Sequence, residues 1–246
     1  MRVFFTDRSD VSDKTVVLTG DNYHHIKNVL RLAKGDEILV KTGGNLSYLC
    51  SVSEFEENKV ICSVKDIFEA DTELPIRVSV FQGIPKGDKM ELVIQKCTEL
   101  GASEIIPVMT ERSIVRLDDK KKKSKLARWE KVALGASEQS RRSKVCLVSE
   151  PVTFEEALAK AADFDHLIFP YECAEGFAFT RKVFSEIMPG ESVALFIGPE
   201  GGFSNKEVQL AEAAGVKTVT LGRRILRTET AAIFVLSVLG FLTEAD

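Results

Sequence analysis

Leu221-Gly222-Arg223-Arg224-Ile225-Leu226-Arg227-Thr228-Glu229-Thr230-Ala231 joins two unlike neighbours. Residues 216–221 read as a β-strand, and residues 231–242 are nearly all apolar and read as a buried helix. Between them, three arginines and two apolar residues, Ile225 and Leu226, share a connection that should otherwise be polar. A loop that folds back and wraps an apolar ligand needs that mixture; packing of the loop on the core is the plainer alternative. Upstream, Gly198-Pro199-Glu200-Gly201-Gly202-Phe203-Ser204 makes a second turn of this kind, from a strand at 193–197 to a helix at 205–214. Such turns set the fold class. Alternating strands and helices give a mainly parallel sheet covered on both faces, and ligands bind beyond the carboxyl ends of its strands.

Working outward, the alternation extends back to residue 76. Strands are expected at 76–82, 105–108, 144–148, 166–169, 192–197 and 216–221. A helix at 89–100 places Met90, Val93, Ile94, Cys97 and Leu100 at helical spacing and stops at Gly101. Thr153-Phe154-Glu155-Glu156 and Ser204-Asn205-Lys206-Glu207 both have the form of a capping box, in which the hydroxyl accepts from an orphan amide and the glutamate reaches back. The run Lys120 to Lys123 reads as a solvated loop before an amphipathic stretch at 125–139.

Residues 1–70 differ. Short β-like runs at 3–5, 15–18, 37–41, 46–52 and 59–67 are separated by turn signals such as Lys34-Gly35-Asp36 and Gly43-Gly44-Asn45. One helical piece, 24–32, puts Ile26, Val29 and Leu30 on one face. Many short strands with one helix predict a small β-barrel. The polar bridge Asp71-Thr72-Glu73-Leu74-Pro75 marks the boundary, giving domains at 1–72 and 73–246.

The chain has 246 residues, 44% hydrophobic and 28% charged, the composition of a soluble globular protein. Residues 1–7 lack the apolar centre of a secretory signal, and the apolar run near the carboxyl end is too short to span a bilayer. The five cysteines, at 50, 62, 97, 146 and 173, form no CxxC pair. A reducing, cytoplasmic setting is therefore expected. The net charge of −4 is unevenly spread: residues 86–144 hold 15 Lys and Arg against 9 Asp and Glu, a basic island in an acidic chain. That is the electrostatic footprint of a polyanion binder, or else a solvated helical face.

The glycine turn fits neither the GxGxxG spacing nor a P-loop, since no Gly-Lys-Ser/Thr follows. Its glycines still let backbone approach a ligand closely. His24 and His25 are neighbours and point in different directions, and only His166 remains, so no metal is expected. Gly135-Ala136-Ser137-Glu138-Gln139-Ser140-Arg141-Arg142 gathers a carboxylate, an amide and two arginines at a helix end. The set suits phosphate gripping plus base recognition, or an ordinary basic helix terminus.

Taken with Arg2-Val3-Phe4-Phe5, His24-His25-Ile26-Lys27-Asn28-Val29-Leu30-Arg31, Lys86-Gly87-Asp88-Lys89-Met90-Glu91 and Gln95-Lys96-Cys97-Thr98-Glu99-Leu100-Gly101, these segments give a nearly end-to-end match. The chain resembles the ribosomal RNA small-subunit uridine-N3 methyltransferase family (RsmE), a branch of the SPOUT methyltransferases.

The resemblance implies an amino-terminal PUA-like barrel that holds RNA. It also implies a parallel-sheet domain ending in a trefoil knot that binds S-adenosylmethionine without a metal, and a homodimer. The implied substrate is a decoding-region uridine of 16S rRNA in the small ribosomal subunit, methylated on N3; a non-catalytic ribosome-assembly factor that grips RNA is the alternative. Carried onto this sequence, the cofactor loops are Phe169 and Pro170, then Gly198, Pro199, Glu200 and Gly201, then Leu221, Gly222, Ile225, Leu226, Arg227 and Thr228. Arg227 and Gln139 are candidate donors to the uracil, and Glu138 or Glu229 candidate proton acceptors. RNA contacts are expected from Arg2, Arg8, His25 and Arg31 in the first domain and from Lys86, Lys89, Arg112, Arg141 and Arg142 in the second. An arginine placed before a buried helix is also expected to pair with an anion, because an unpaired buried charge is costly.

Overall fold

The computed structural model describes residues 1–70, 72–113, 118–172 and 176–244. Asp71 of the predicted boundary and Cys173 lie outside the described residues. The chain divides into two units: Met1–Glu73 with Ser137–Val145, and Leu74–Ala136 with Cys146–Asp246. The first cut falls one residue from the predicted one. The segment 137–145 groups with the amino-terminal unit, which local sequence pattern could not foresee.

In the first unit, β1 (Arg2–Phe5), β2 (Thr15–Thr19), β3 (Glu37–Lys41), β4 (Leu46–Glu56) and β5 (Lys59–Glu69) form one sheet in the order β1-β3-β4-β5-β2. The order is open: among the described residues no ladder joins β1 to β2, so the closure expected of a barrel is not made by strand pairing. Strands β4 and β5 run longer than predicted because bulges at Leu49/Cys50 and Val52/Glu54 let the pair bend and continue rather than stop. The sheet and helix enclose Phe4, Val16, Leu18, Ile26, Ile38, Val40, Tyr48 and Val60. The predicted helix at 24–32 is instead α1 (Gly20–His24) followed by a π-helical turn, His25–Val29. The wider turn changes which residues share a face. Ile26 stays buried and Val29 is 59% exposed, against expectation.

The second unit carries β6 (Arg77–Gly83), α2 (Lys89–Glu99), β7 (Glu104–Met109), α3 (Asp119–Gln139, its last three residues in the first unit), β8 (Leu147–Val148), β9 (Val152–Thr153), α4 (Phe154–Ala161), β10 (His166–Pro170), α5 (Phe177–Ser185), β11 (Ser192–Ile197), α6 (Asn205–Ala213), β12 (Lys217–Val219) and α7 (Thr228–Thr243). The sheet order is β12-β10-β11-β6-β7-β8, and every ladder in it is parallel. Alternation along each strand splits the core. Val78, Val80, Ile105, Ile168, Val193 and Leu195 face α2, α5 and α7, while Phe81, Ile106, Phe169, Ala194 and Phe196 face α4 and α6. Both predicted capping boxes form, at Thr153 with Glu156 and at Ser204 with Glu207.

Three expectations change here. Lys120 to Lys123 lie in α3 rather than in a loop; lysine is a good helix former, and the preceding Asp118 accepts from the Lys121 amide at 2.8 Å. The strand predicted at 144–148 shrinks to Leu147–Val148, because 137–145 belongs to the other unit. The helix predicted as buried at 231–242 begins at Thr228 and is only half covered: Phe241 is 87% and Leu242 50% exposed.

Candidate functional site

In the parallel sheet the chain leaves β6 for β7 on one side and later returns as β11 on the other, which makes the carboxyl ends of β6 and β11 a topological switch point. The glycine turn begins there, directly after Ile197. Gly83, the last residue of β6, is what allows the turn to sit against it: a Cβ on Gly83 would lie 2.5 Å from Pro199 Cδ. Gly198 is equally confined, since its Cβ would meet Gly202 Cα at 3.1 Å and the Phe203 ring at 3.2 Å.

Beside this point, beyond β10 and β12, lies an open cavity lined by Pro170, Tyr171, Glu172, residues 220–226 and Ala231. Strand β12 is shorter than predicted, and this frees Thr220 and Leu221 to line the cavity. Gly222 adopts φ 111°, a left-handed conformation that only glycine takes readily, and the Thr220 hydroxyl bonds the Gly222 amide at 3.3 Å. The walls combine apolar surface from Pro170, Leu221 and Leu226 with backbone polar groups and the exposed Glu172 carboxylate. That combination fits a nucleoside: an apolar slot for a base and an acceptor for hydroxyls.

The predicted cofactor residues are thus partly assembled. Pro170, Leu221, Gly222, Ile225 and Leu226 share the cavity. Phe169 does not line it; its ring is fully buried against Phe203 and Phe196. Thr228 and Gly198 are joined to each other, hydroxyl to carbonyl, at 2.6 Å. Glu200 is engaged elsewhere: it accepts from Lys89 Nζ at 2.7 Å and from the Lys86 amide at 3.2 Å. Burial resists its ionisation, but these bonds outweigh that and hold the carboxyl below its usual value. Lys89 is therefore committed to Glu200, while Lys86 bonds through its backbone and keeps an exposed position. Arg112 donates to the Gly201 carbonyl at 3.1 Å and packs against that glycine, where a Cβ would meet Arg112 Cβ at 3.3 Å.

Arg227 has no protein anion as its partner among the described residues. It is exposed at the N-cap of α7, where its carbonyl accepts from the Ala231 amide at 2.8 Å, and its side chain makes no hydrogen bond or ion pair among the described residues. The helix behind it is only half buried, so the charge stays in water. Glu229, two residues further, is half-buried, and its Oε2 has no hydrogen-bond partner among the described residues.

In the first unit, Arg142 leaves the list of RNA contacts. Its side chain is 3% exposed and forms an ion pair with Glu73. Glu73 also accepts from the amides of Ser143 at 3.0 Å and Lys144 at 3.2 Å. Lys41, which no sequence pattern had singled out, is 1% exposed and donates to the Arg141 carbonyl at 2.6 Å; burial pulls its ammonium below its usual value against the nearby charge of Glu73. A lysine closing the apolar strand Ile38-Leu39-Val40 was the available signal. Arg141 takes φ 59° and keeps its side chain exposed. Gln139 is exposed, and Glu138 is half-buried, its carboxyl pushed up to about 7 by burial. Arg2, Arg8 and Arg31 are exposed, with Arg8 over the Tyr48 ring at 5.7 Å, while His25 meets the Phe4 ring edge-on at 5.8 Å.

Cys50, Cys62, Cys97 and Cys146 are buried and form no disulfide among the described residues, with burial raising the Cys50 thiol to about 12 and the Cys62 thiol to about 11, so neither of these two is a ready nucleophile. His166 pairs with Glu191 at 2.7 Å. Among the described residues no helix is long and apolar enough to cross a membrane.

Comparison with known proteins bears on both units. A family model described as an RNA methyltransferase domain matches residues 72–240, and one described as an RNA methyltransferase PUA domain matches residues 18–65. The ribosomal RNA small subunit methyltransferase E of Bacillus subtilis (strain 168) is 43% identical over 235 residues, covering 94% of this chain and 91% of its own. Its namesake from Synechocystis sp. is 32% identical, covering 96% of this chain and 76% of its own. Among solved structures, a ribosomal RNA small subunit methyltransferase E from Neisseria gonorrhoeae bound to S-adenosyl methionine superposes with a TM-score of 0.85 at 32% identity, covering 98% of both chains.

Proposed function

The chain belongs to the ribosomal RNA small subunit methyltransferase E family, and from that membership we propose that it transfers the methyl group of S-adenosylmethionine to N3 of a uridine in 16S rRNA. The observation that carries the reading is the cavity at the carboxyl ends of β10 and β12, beside the glycine turn at the end of β11. Pro170, Leu221 and Leu226 would hold the adenosine, with Glu172 and the backbone of 220–226 orienting it. The cofactor supplies an electrophilic methyl group. The protein's share is to present a uridine in line with it, where positioning provides much of the rate.

N3 lies on the Watson–Crick edge, so the uridine must be unpaired or flipped out. As its proton leaves, negative charge spreads over the uracil oxygens. Arg227, uncommitted and next to the cavity loop, is the donor assigned to that charge, with Gln139 as a second. Glu138 is the acceptor favoured for the proton, because a carboxyl raised to about 7 is matched to proton removal near neutral pH. A carboxylate accepts and a carboxylic acid does not, so turnover should rise with pH through about 7. Glu138→Gln should remove that limb. The same shift has a stability sign. Burial disfavours the charged form, so stability present in acid is lost as pH rises from the ordinary carboxylate range through about 7, and the Gln variant should flatten this fall. Thermal melting from pH 5 to 8 and single-turnover rates over the same range check both; an unchanged rate profile in the variant assigns the proton elsewhere.

RNA is assigned to the PUA-like first unit, through exposed Arg2, Arg8, Arg31 and Arg141, and the protein to the cytoplasm. The trefoil knot of the family is proposed for the segment in which the loop at 221–227 and α7 follow the glycine turn. A homodimer is supported by the uncovered apolar end of α7. Phe241→Asp is expected to shift the sedimenting species toward monomer, and an unchanged sedimentation profile counts against that face.

The whole reading is tested by incubating small subunits that lack the modification with labelled S-adenosylmethionine. One labelled uridine, carrying the methyl on N3, is expected. RNA binding without label would favour a non-catalytic assembly factor.

A further inference from the structure

Gln82 is the penultimate residue of β6 and is fully buried, in a strand whose Val78, Val80 and Phe81 are fully buried too. Its Nε2 donates to the Thr228 hydroxyl at 2.8 Å and to the Gly83 carbonyl at 2.8 Å. The Thr228 hydroxyl in turn donates to the Gly198 carbonyl at 2.6 Å. The direction of this chain is fixed by chemistry. A hydroxyl that gives its only proton to Gly198 must accept from Gln82, and the Gly83 carbonyl can only accept. Reversing the amide would set two acceptors against each other twice. Gln82 Oε1 has no partner among the described residues, so the side chain is held through its Nε2 alone.

Three chain segments meet in this relay: the end of β6, the glycine turn after β11, and the first residue of α7, which closes the cavity loop at 220–226. Gly83 permits the meeting, since any larger residue would strike Pro199. We infer that Gln82 is a positioning residue for the cofactor: through the Thr228 hydroxyl it locks the Gly198 carbonyl inward and fixes the glycine turn and the cavity loop in one register. The inference rests on the reading of these loops as the S-adenosylmethionine site. It gives Thr228 a task other than donating to the ligand, because the only proton of its hydroxyl is already given to Gly198. A buried relay of this kind leaves its remaining members unsatisfied when one is removed, so loss of either polar group should loosen both loops together.

The test uses the full chain and measures S-adenosylmethionine binding by calorimetry, alongside melting temperature. Thr228→Val keeps the shape and removes the hydroxyl; it should weaken binding by at least ~10-fold. Thr228→Ser restores the hydroxyl and should recover most of the affinity. Gln82→Met should lose a similar amount, and the double variant little more than the larger single loss, since both cut one relay. A merely structural role would lower the melting temperature while leaving the affinity of the folded protein intact. Undiminished affinity in folded Thr228→Val, or additive losses in the double variant, would overturn the inference. If Thr228→Val does not fold, Gln82→Met decides by the same affinity measurement. Failure of the unaltered chain to bind S-adenosylmethionine would instead strike the proposed function.

Discussion

Arg227→Ala is expected to lower methyl transfer by at least ~100-fold, the scale of losing one transition-state donor, while S-adenosylmethionine binding falls much less. The argument is that Arg227 is a poor choice for everything except chemistry. It occupies the N-cap of α7 in an extended conformation, φ −67° and ψ 154°, and makes no side-chain capping bond. Ser, Thr, Asp or Asn would serve that position better. A cation at the positive pole of a helix also costs about 0.3–1 kcal/mol. Its side chain is exposed and makes no hydrogen bond or ion pair among the described residues, so alanine removes neither. The variant should therefore melt at the same temperature or slightly higher. What it loses is a charge beside the exposed amides of a helix start, two features that together favour an anion. The uracil becomes anionic only as its proton leaves, so the loss belongs in turnover rather than in cofactor affinity. Single-turnover rates, calorimetry and melting on one preparation separate these effects. A folded variant with near-normal turnover removes Arg227 from the mechanism.

Much of this molecule is legible in its sequence, for reasons that can be traced to particular segments. The parallel sheet follows from Ser192-Val193-Ala194-Leu195-Phe196-Ile197, apolar on both faces, and from two capping boxes that fix where α4 and α6 begin. The glycine turn and the 221–227 loop could be located because their residues break local rules: glycines against a strand end, apolar side chains and arginines inside a connection. The rest depends on long-range geometry. Arg142 looks like a surface arginine at a basic helix end, and nothing nearby in sequence announces its buried partner, Glu73. Gln82 reads as an ordinary polar residue ending a strand until Thr228 is brought to it by the fold. Val29 is misplaced because a π-helical turn cannot be seen in a 3.6-residue pattern. Lysines 120–123 look like a solvated loop because charge runs are compatible with both loop and exposed helix.

Glu73→Ala should be the most destabilising single change considered, at about 3–5 kcal/mol, the range for removing one member of a buried ion pair. Glu73 forms an ion pair with the Arg142 guanidinium and accepts from the Ser143 and Lys144 amides as well. Its loss leaves a cation in a site where the side chain is 3% exposed, together with two amides that lose their carboxylate. The nearby Lys41 ammonium, already disfavoured by burial, loses the negative charge that supports it. Lys41 and Thr72 both donate to the Arg141 carbonyl, and Ser143 donates to the Ala70 carbonyl. The segment 137–145 is therefore tied to the rest of its unit largely by polar bonds converging on its backbone. Removing both charges together should cost less: Glu73→Gln with Arg142→Met should recover part of the loss, because the costliest species is a buried cation that has lost the Glu73 carboxylate. The same variants decide what Arg142 does for RNA. If it were a phosphate contact, Arg142→Met would reduce the salt dependence of RNA binding by about one unit of slope. As an internal partner of Glu73 it should leave that slope unchanged at temperatures where the variant is folded. Arg141→Ala, which removes an exposed guanidinium on the same turn, should lower it. A stability loss below about 1 kcal/mol for Glu73→Ala, or a reduced slope in folded Arg142→Met, would return Arg142 to the RNA-facing surface.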